Sequence, residues 1–129
     1  MALGIHVIAD LVSCDEQLLN NSEFIEEMLR GATKAAGATE IKTVVHTFNP
    51  VGVTGVTVLA ESHITIHTFP EWKSACIDAF TCGDHCCPKR AIDYIVKALG
   101  GEIEEITDLT RGKDFKFLTN EERHTINYD

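Results

Sequence analysis

No apolar run in this sequence reaches the length of a membrane span. The longest, such as Val51 to Ala60, stop far short of the roughly 20 residues a bilayer demands. Met1-Ala2-Leu3-Gly4 offers no basic n-region and Asp10 follows early, so neither export nor membrane insertion is expected, and the chain reads as cytoplasmic. Cations are scarce too: 11 Lys and Arg against 20 Asp and Glu give a net charge of -9. Polyanions are held by clustered Lys and Arg, so nucleic acid is not an expected partner, and a cationic small molecule suits the charge better. Disulfide architecture is missing as well. Cys14, Cys76, Cys82, Cys86 and Cys87 are odd in number and lack a secretory context, which predicts free thiols in a reducing compartment.

What is present suffices for one core. At 129 residues and 44% hydrophobic content, the chain is expected to form a single domain over residues 1–129. Gly4 to Val12 reads as a first strand that ends at Cys14-Asp15. A capping-box-like start at Asn20 to Glu23 leads a helix whose apolar residues Phe24, Ile25, Met28, Leu29, Ala32 and Ala35 recur at helical spacing until Gly37. Strands follow at Thr39 to Phe48, Val56 to Ala60, His63 to Phe69 and Ser74 to Thr81. Pro88 opens a second helix with Ile92, Ile95, Val96 and Leu99 as its buried stripe and Gly100-Gly101 as its stop. Glu102 to Leu109 reads as an edge strand, and the chain from Thr110 onward as an irregular surface tail. This order predicts an α+β fold, a two-layer sandwich of an antiparallel sheet with helices on one face. The uncovered face predicts a second copy against it, giving a dimer with four αββα layers.

Chemistry concentrates in Glu61-Ser62-His63, a polar break in a strand-like run. Buried polar groups cost several kcal/mol unless they bond one another, on the order of 2–7 kcal/mol each by transfer, so such a cluster calls for a reason. Ser62 has three candidate roles: a hydrogen-bonded strand residue, a hydrolase nucleophile, or the reacting residue of a self-cleaving peptide bond. No Gly-x-Ser-x-Gly elbow surrounds it, which weakens the second. For the third, His67 is the nearest base or acid. The odd offset from Ser62 to His67 points them to opposite faces of a regular strand. Either the backbone is irregular at Glu61-Ser62, or the working histidine comes from another subunit.

Cys82-Gly83-Asp84-His85-Cys86-Cys87 carries zinc-type donors without the second pair of ligands that structural zinc sites use, so no metal is expected. Cys82 instead reads as a reactive thiol at a strand end. Phe48, Phe69 and Trp72 flank the polar cluster, where they serve either as core or as a stacking surface for a flat ring.

Glu61-Ser62-His63-Ile64-Thr65-Ile66-His67-Thr68-Phe69-Pro70-Glu71 together with Asp78-Ala79-Phe80-Thr81-Cys82-Gly83 resembles the short prokaryotic S-adenosylmethionine decarboxylases, and the likeness covers about the first hundred residues. The resemblance implies a proenzyme that cuts itself between Glu61 and Ser62, leaving a β chain of residues 1–61 and an α chain of residues 62–129. Ser62 then becomes a covalent pyruvoyl group, on which the substrate forms a Schiff base and loses carbon dioxide. By the same resemblance His67 assists processing, Thr54 supports it from a position where a serine is expected, and Cys82 reprotonates the product carbon. Phe48 stacks on adenine and Glu71 holds the ribose hydroxyls of S-adenosylmethionine. Sites are shared between the two subunits of a dimer, and the product serves as aminopropyl donor for spermidine synthesis. Asp10, Phe69 and the Cys86-Cys87 pair depart from the family's usual residues. Two rivals are a pyruvoyl enzyme of the same fold acting on arginine or another cationic amino acid, and a non-enzymatic metal-binding module built on Cys82 to Cys87.

Overall fold

The computed structural model describes residues 3–113 and 120–125. Six strands, β1 (Gly4–Val12), β2 (Glu40–Thr47), β3 (Val53–Leu59), β4 (Ser62–Phe69), β5 (Ser74–Cys82) and β6 (Glu102–Arg111), form one antiparallel sheet in the order β2-β3-β4-β5-β1-β6. Two long helices, α2 (Ser22–Ala35) and α3 (Pro88–Leu99), pack on one face of that sheet and on each other. A short α1 (Glu16–Leu19) precedes α2, a 3-10 turn (Pro70–Trp72) joins β4 to β5, and α4 (Asn120–His124) lies in the C-terminal region. The expected α+β architecture with helices on one face is therefore what the chain adopts.

Local chemistry explains the elements. Asn21 caps α2 by accepting a hydrogen bond from the Phe24 amide at 3.1 Å, and its apolar stripe buries Ile25, Met28, Leu29 and Ala32. Pro88 occupies the first turn of α3, where its missing N–H costs nothing, and Gly100 ends the helix in the left-handed conformation at φ 64°. Alternation along β4 and β5 sends Ile64, Ile66, Ala75, Ile77 and Ala79 under the helices. The opposite alternation sends His63, Thr65, His67, Cys76, Asp78 and Phe80 to the open face, which keeps Ile8, Val44, Val58 and Phe69 exposed.

Several boundaries differ from the sequence reading, each for a local reason. β3 begins at Val53 rather than Val56, because the Val53 amide donates to the buried Thr68 hydroxyl at 2.8 Å and Gly55 sits within the ladder instead of in a turn. Asp15 starts α1 rather than closing β1, its carboxylate accepting from the Gln17 and Leu18 amides. Asn20 caps no helix start; its side chain accepts from the Gly52 amide at 3.0 Å. Val96 is only half-buried on α3, while Ala91 joins the stripe. Thr110 and Arg111 extend β6 and Asn120–His124 is helical, so the expected irregular tail is overturned there; residues 114–119 and 126–129 lie outside the described residues.

Ile92 is fully buried where α3 meets the sheet. Ile92→Ala is expected to lower unfolding stability by about 2–5 kcal/mol, read as a reduced urea midpoint with an unchanged slope.

Candidate active site

β3 and β4 form a hairpin whose two-residue loop is Ala60-Glu61, with Leu59 paired to Ser62. Ser62 sits directly after that loop at φ 141°, a backbone conformation L residues rarely adopt. The irregularity expected as one answer to the parity problem is therefore real. It lets the Ser62 hydroxyl reach the Cys82 thiol at 3.4 Å, although regular alternation would turn the two residues to opposite faces. The Cys82 amide donates to the Glu61 carbonyl oxygen at 2.9 Å. A hydrogen-bond donor thus already sits on the carbonyl that a Ser62 attack would convert to an oxyanion.

The Glu61 side chain is anchored by hydrogen bonds. It accepts from the Thr39 amide at 3.0 Å and from His85 Nε2 at 2.9 Å, and these bonds hold its carboxyl below the usual carboxylate range. Glu61, Ser62 and Cys82 form one half of the candidate site.

Residues of the other half gather at the far end of β4. His67 Nδ1 lies 2.9 Å from the Thr54 hydroxyl, a cross-strand pair between β3 and β4. Both line an open cavity of about 430 Å³ together with Phe48, Phe69 and Glu71. Phe48 is half exposed, its ring edge-on to His46, and Trp72 is exposed outside the cavity lining, so the core alternative for these aromatics is overturned. The cavity wall is tied down by α1: Thr68 donates to the Leu19 carbonyl at 2.8 Å, and Asn20 accepts from Gly52. Five residues of extended strand separate Ser62 from His67, roughly 16 Å at about 3.3 Å per residue. Within one chain the two halves do not meet.

Between them lies a network that sequence reasoning passed over. Asp78 Oδ2 accepts from His6 Nε2 at 2.7 Å and from His63 Nε2 at 2.9 Å, while its other oxygen accepts from Thr65. Arg111 donates to His6 Nδ1 at 2.9 Å, and since a guanidinium has no acceptor, the proton of neutral His6 sits on Nε2, aimed at Asp78. Phe80 packs among these groups, with the Arg111 guanidinium 5.6 Å from its ring centroid. Burial pushes the Asp78 carboxyl up, but the hydrogen bonds from Thr65, His6 and His63 outweigh it and leave it below the ordinary value. Alternate positions 63 and 65 on one strand and 78 on its neighbour were the available signal; the β4–β5 register needed to join them was not readable.

The remaining cysteines are free thiols. Cys14 is buried, which raises its thiol pKa, and on the open sheet face burial and the nearby Asp10 carboxylate raise that of Cys76. Among the described residues, no helix is long and apolar enough to cross a membrane.

The S-adenosylmethionine decarboxylase family model matches residues 5–112. A Methanococcus maripaludis protein named S-adenosylmethionine decarboxylase proenzyme is 50% identical over 110 residues, 85% of this chain and 90% of the relative. A Caldanaerobacter subterraneus protein of the same name is 44% identical over 111 residues, covering 86% and 90%. The crystal structure of the adenosylmethionine decarboxylase from Aquifex aeolicus superposes with a TM-score of 0.78 at 40% identity, over 92% of this chain and 98% of that one.

Because the Asp78 carboxyl is depressed in the folded state, its contribution to stability is complete above the unfolded value of 3.8 and is lost as pH falls through the lower folded value. Asp78→Asn is therefore expected to cost stability near neutral pH, with the gap from the unsubstituted chain closing as pH falls below 3.8, as read by urea unfolding across that range.

Proposed function

The chain belongs to the S-adenosylmethionine decarboxylase family, and we propose that it is a self-processing decarboxylase that converts S-adenosylmethionine to its decarboxylated form and carbon dioxide. The observation that carries the reading is the Glu61–Ser62 peptide bond, which has a hydrogen-bond donor on its carbonyl oxygen and a strained serine as its next residue. Both features favour attack by the Ser62 hydroxyl on the Glu61 carbonyl carbon. The Oγ–C bond forms, the C–N bond breaks, and the amide becomes an ester with a free Ser62 amine. Elimination then releases the Glu61 carboxylate and leaves dehydroalanine, whose hydrolysis with loss of ammonia yields a pyruvoyl group. Relief of the φ strain and the Cys82 amide at the oxyanion lower the barrier to the first step.

Residues 1–129 act as one domain that is cut into a β chain, 1–61, and an α chain, 62–129, which stay together because β3 and β4 remain paired across the cut. The pyruvoyl group supplies a carbonyl for the substrate amine and an electron sink for decarboxylation. Cys82 returns a proton to the carbon that loses carbon dioxide. Phe48 offers an exposed ring to adenine, and Glu71 on the same cavity offers a carboxylate to the ribose hydroxyls, a pairing that suits a nucleoside better than arginine. Thr54 orients His67, which serves proton transfer during processing.

Two copies complete the site. The open sheet face carries exposed Ile8, Val44, Val58 and Phe69, and a second copy laid across it, with the two-fold axis between the two sheets over the middle of β4, would bring His67, Phe48 and Glu71 of one chain to Ser62 and Cys82 of the other. The assembly is thus a homodimer of αβ pairs. Free thiols throughout fit a cytoplasmic enzyme whose product feeds spermidine synthesis.

Denaturing intact-mass measurement is expected to give fragments 1–61 and 62–129, the second blocked at its N-terminus, and carbon dioxide release from S-adenosylmethionine but not from arginine. Ser62→Ala should remain one full-length, inactive species. An uncut chain after prolonged incubation, or release from arginine alone, contradicts the proposal.

A further inference from the structure

Two clusters of metal-capable side chains occur among the described residues: His6, His63 and Asp78, and Glu61, His85 and Cys86. The first is a closed hydrogen-bond network. His6 accepts at Nδ1 from Arg111 and donates from Nε2 to Asp78, so neither ring nitrogen has a lone pair to give. The second is different. The Glu61 carboxylate, the His85 imidazole and the Cys86 thiol converge with all three donor atoms within 4.8 Å of one another. We propose that Glu61, His85 and Cys86 form a binding site for a zinc-class divalent cation beside the Glu61–Ser62 bond.

The arrangement meets the requirements of such a site in turn. Thiolate, imidazole and carboxylate together suit a borderline-soft ion such as Zn²⁺ or Co²⁺ rather than the all-oxygen preference of Mg²⁺ or Ca²⁺. Glu61 is positioned by Thr39, which donates its amide to one carboxylate oxygen and its hydroxyl, at 3.4 Å, to the other, the oxygen that also faces His85. Gly83, at φ 93°, lets the turn after β5 fold back, with His85 ring atoms 3.2 and 3.3 Å from where a Cβ would stand. The following residues are fixed to the C-terminal end of α2, the Cys87 amide donating to the Ala36 carbonyl at 2.9 Å and the Cys86 thiol contacting the Gly37 carbonyl at 3.6 Å. That helix end carries the negative pole of its dipole, which favours a cation. His85 is 62% exposed, so an ion has a route in and a water can complete a fourth position.

Without a cation, burial and then the nearby Glu61 carboxylate push the Cys86 thiol pKa up. On binding, the thiol proton leaves to solvent, the His85 Nε2 proton moves to Nδ1, and the Glu61 carboxylate stabilises the ion. The binding claim stands on this geometry alone. Its consequence, that the ion ties the β-chain terminus to the α-chain loop after Cys82, rests on the proposed cleavage.

Chelator-treated chain, both unsubstituted and as uncut Ser62→Ala, would be titrated with Co²⁺ and then Zn²⁺. One Co²⁺ per chain with a thiolate-to-cobalt charge-transfer band, displaced by one Zn²⁺, is expected in both proteins, whether or not cleavage occurs. His85→Ala and Cys86→Ser should each lose the band and more affinity than the roughly 100-fold that an outer-shell partner supplies, while Cys87→Ser keeps both. A missing band in the unsubstituted chain overturns the assignment, as does a band that survives Cys86→Ser or disappears with Cys87→Ser.

Discussion

Pairing Ser62 with Thr81 in the β4–β5 ladder settles most of what this site is able to do. It brings the Cys82 amide to the Glu61 carbonyl and the Cys82 thiol to the Ser62 hydroxyl, so the groups that the proposed cleavage uses share one strand end. The same register sets Thr65 opposite Asp78 and His63 opposite Phe80, which assembles the Asp78 network on the same open face as the Cys82 thiol. A one-residue slip would turn every one of these side chains to the other sheet face, against a core that holds Ile64, Ile66, Ile77 and Ala79 fully enclosed. Burial of the helix face therefore fixes the chemistry of the open face.

A stiff strand is also the physical basis of the proposed two-copy site. β4 carries Ser62 at one end and His67 with the cavity at the other, and an extended backbone has no means of folding its two ends together. The open face between them is a mixture of apolar residues and satisfied polar ones; among the described residues no buried side-chain nitrogen or oxygen lacks a partner. Such a face is able to meet a copy of itself without leaving charges stranded.

Much of this was legible in the sequence, and the limits follow from range. Period and caps reveal both long helices, because Asn21, Pro88 and Gly100 act within a few residues of the elements they bound. Strand alternation assigns Cys76, Asp78 and Phe80 to one face correctly. The conflict between Ser62 and His67 was visible as simple parity, and the irregular backbone at Ser62 is one of its two anticipated resolutions. What stayed hidden depends on partners far along the chain: Thr39 and His85 on Glu61, separated by 22 and 24 residues, and Arg111 on His6, separated by 105. The closeness of Glu61 to the loop from Cys82 to Cys87 was hidden for the same reason. Short α1 was missed because a four-residue helix has no periodic stripe, although its Asp15 cap was there to read.

The central claim is that each catalytic site takes its halves from two chains, and subunit complementation tests it most directly. Cys82→Ala and Glu71→Gln chains, each inactive or nearly so as a homodimer, would be co-expressed and the whole dimer population assayed for carbon dioxide release from S-adenosylmethionine. Shared sites predict that activity reappears at about a quarter of the level of unsubstituted protein, because roughly half the dimers are mixed and one of their two sites combines two intact halves. Mixed dimers as inactive as the parent variants would contradict the account and place each site within a single chain.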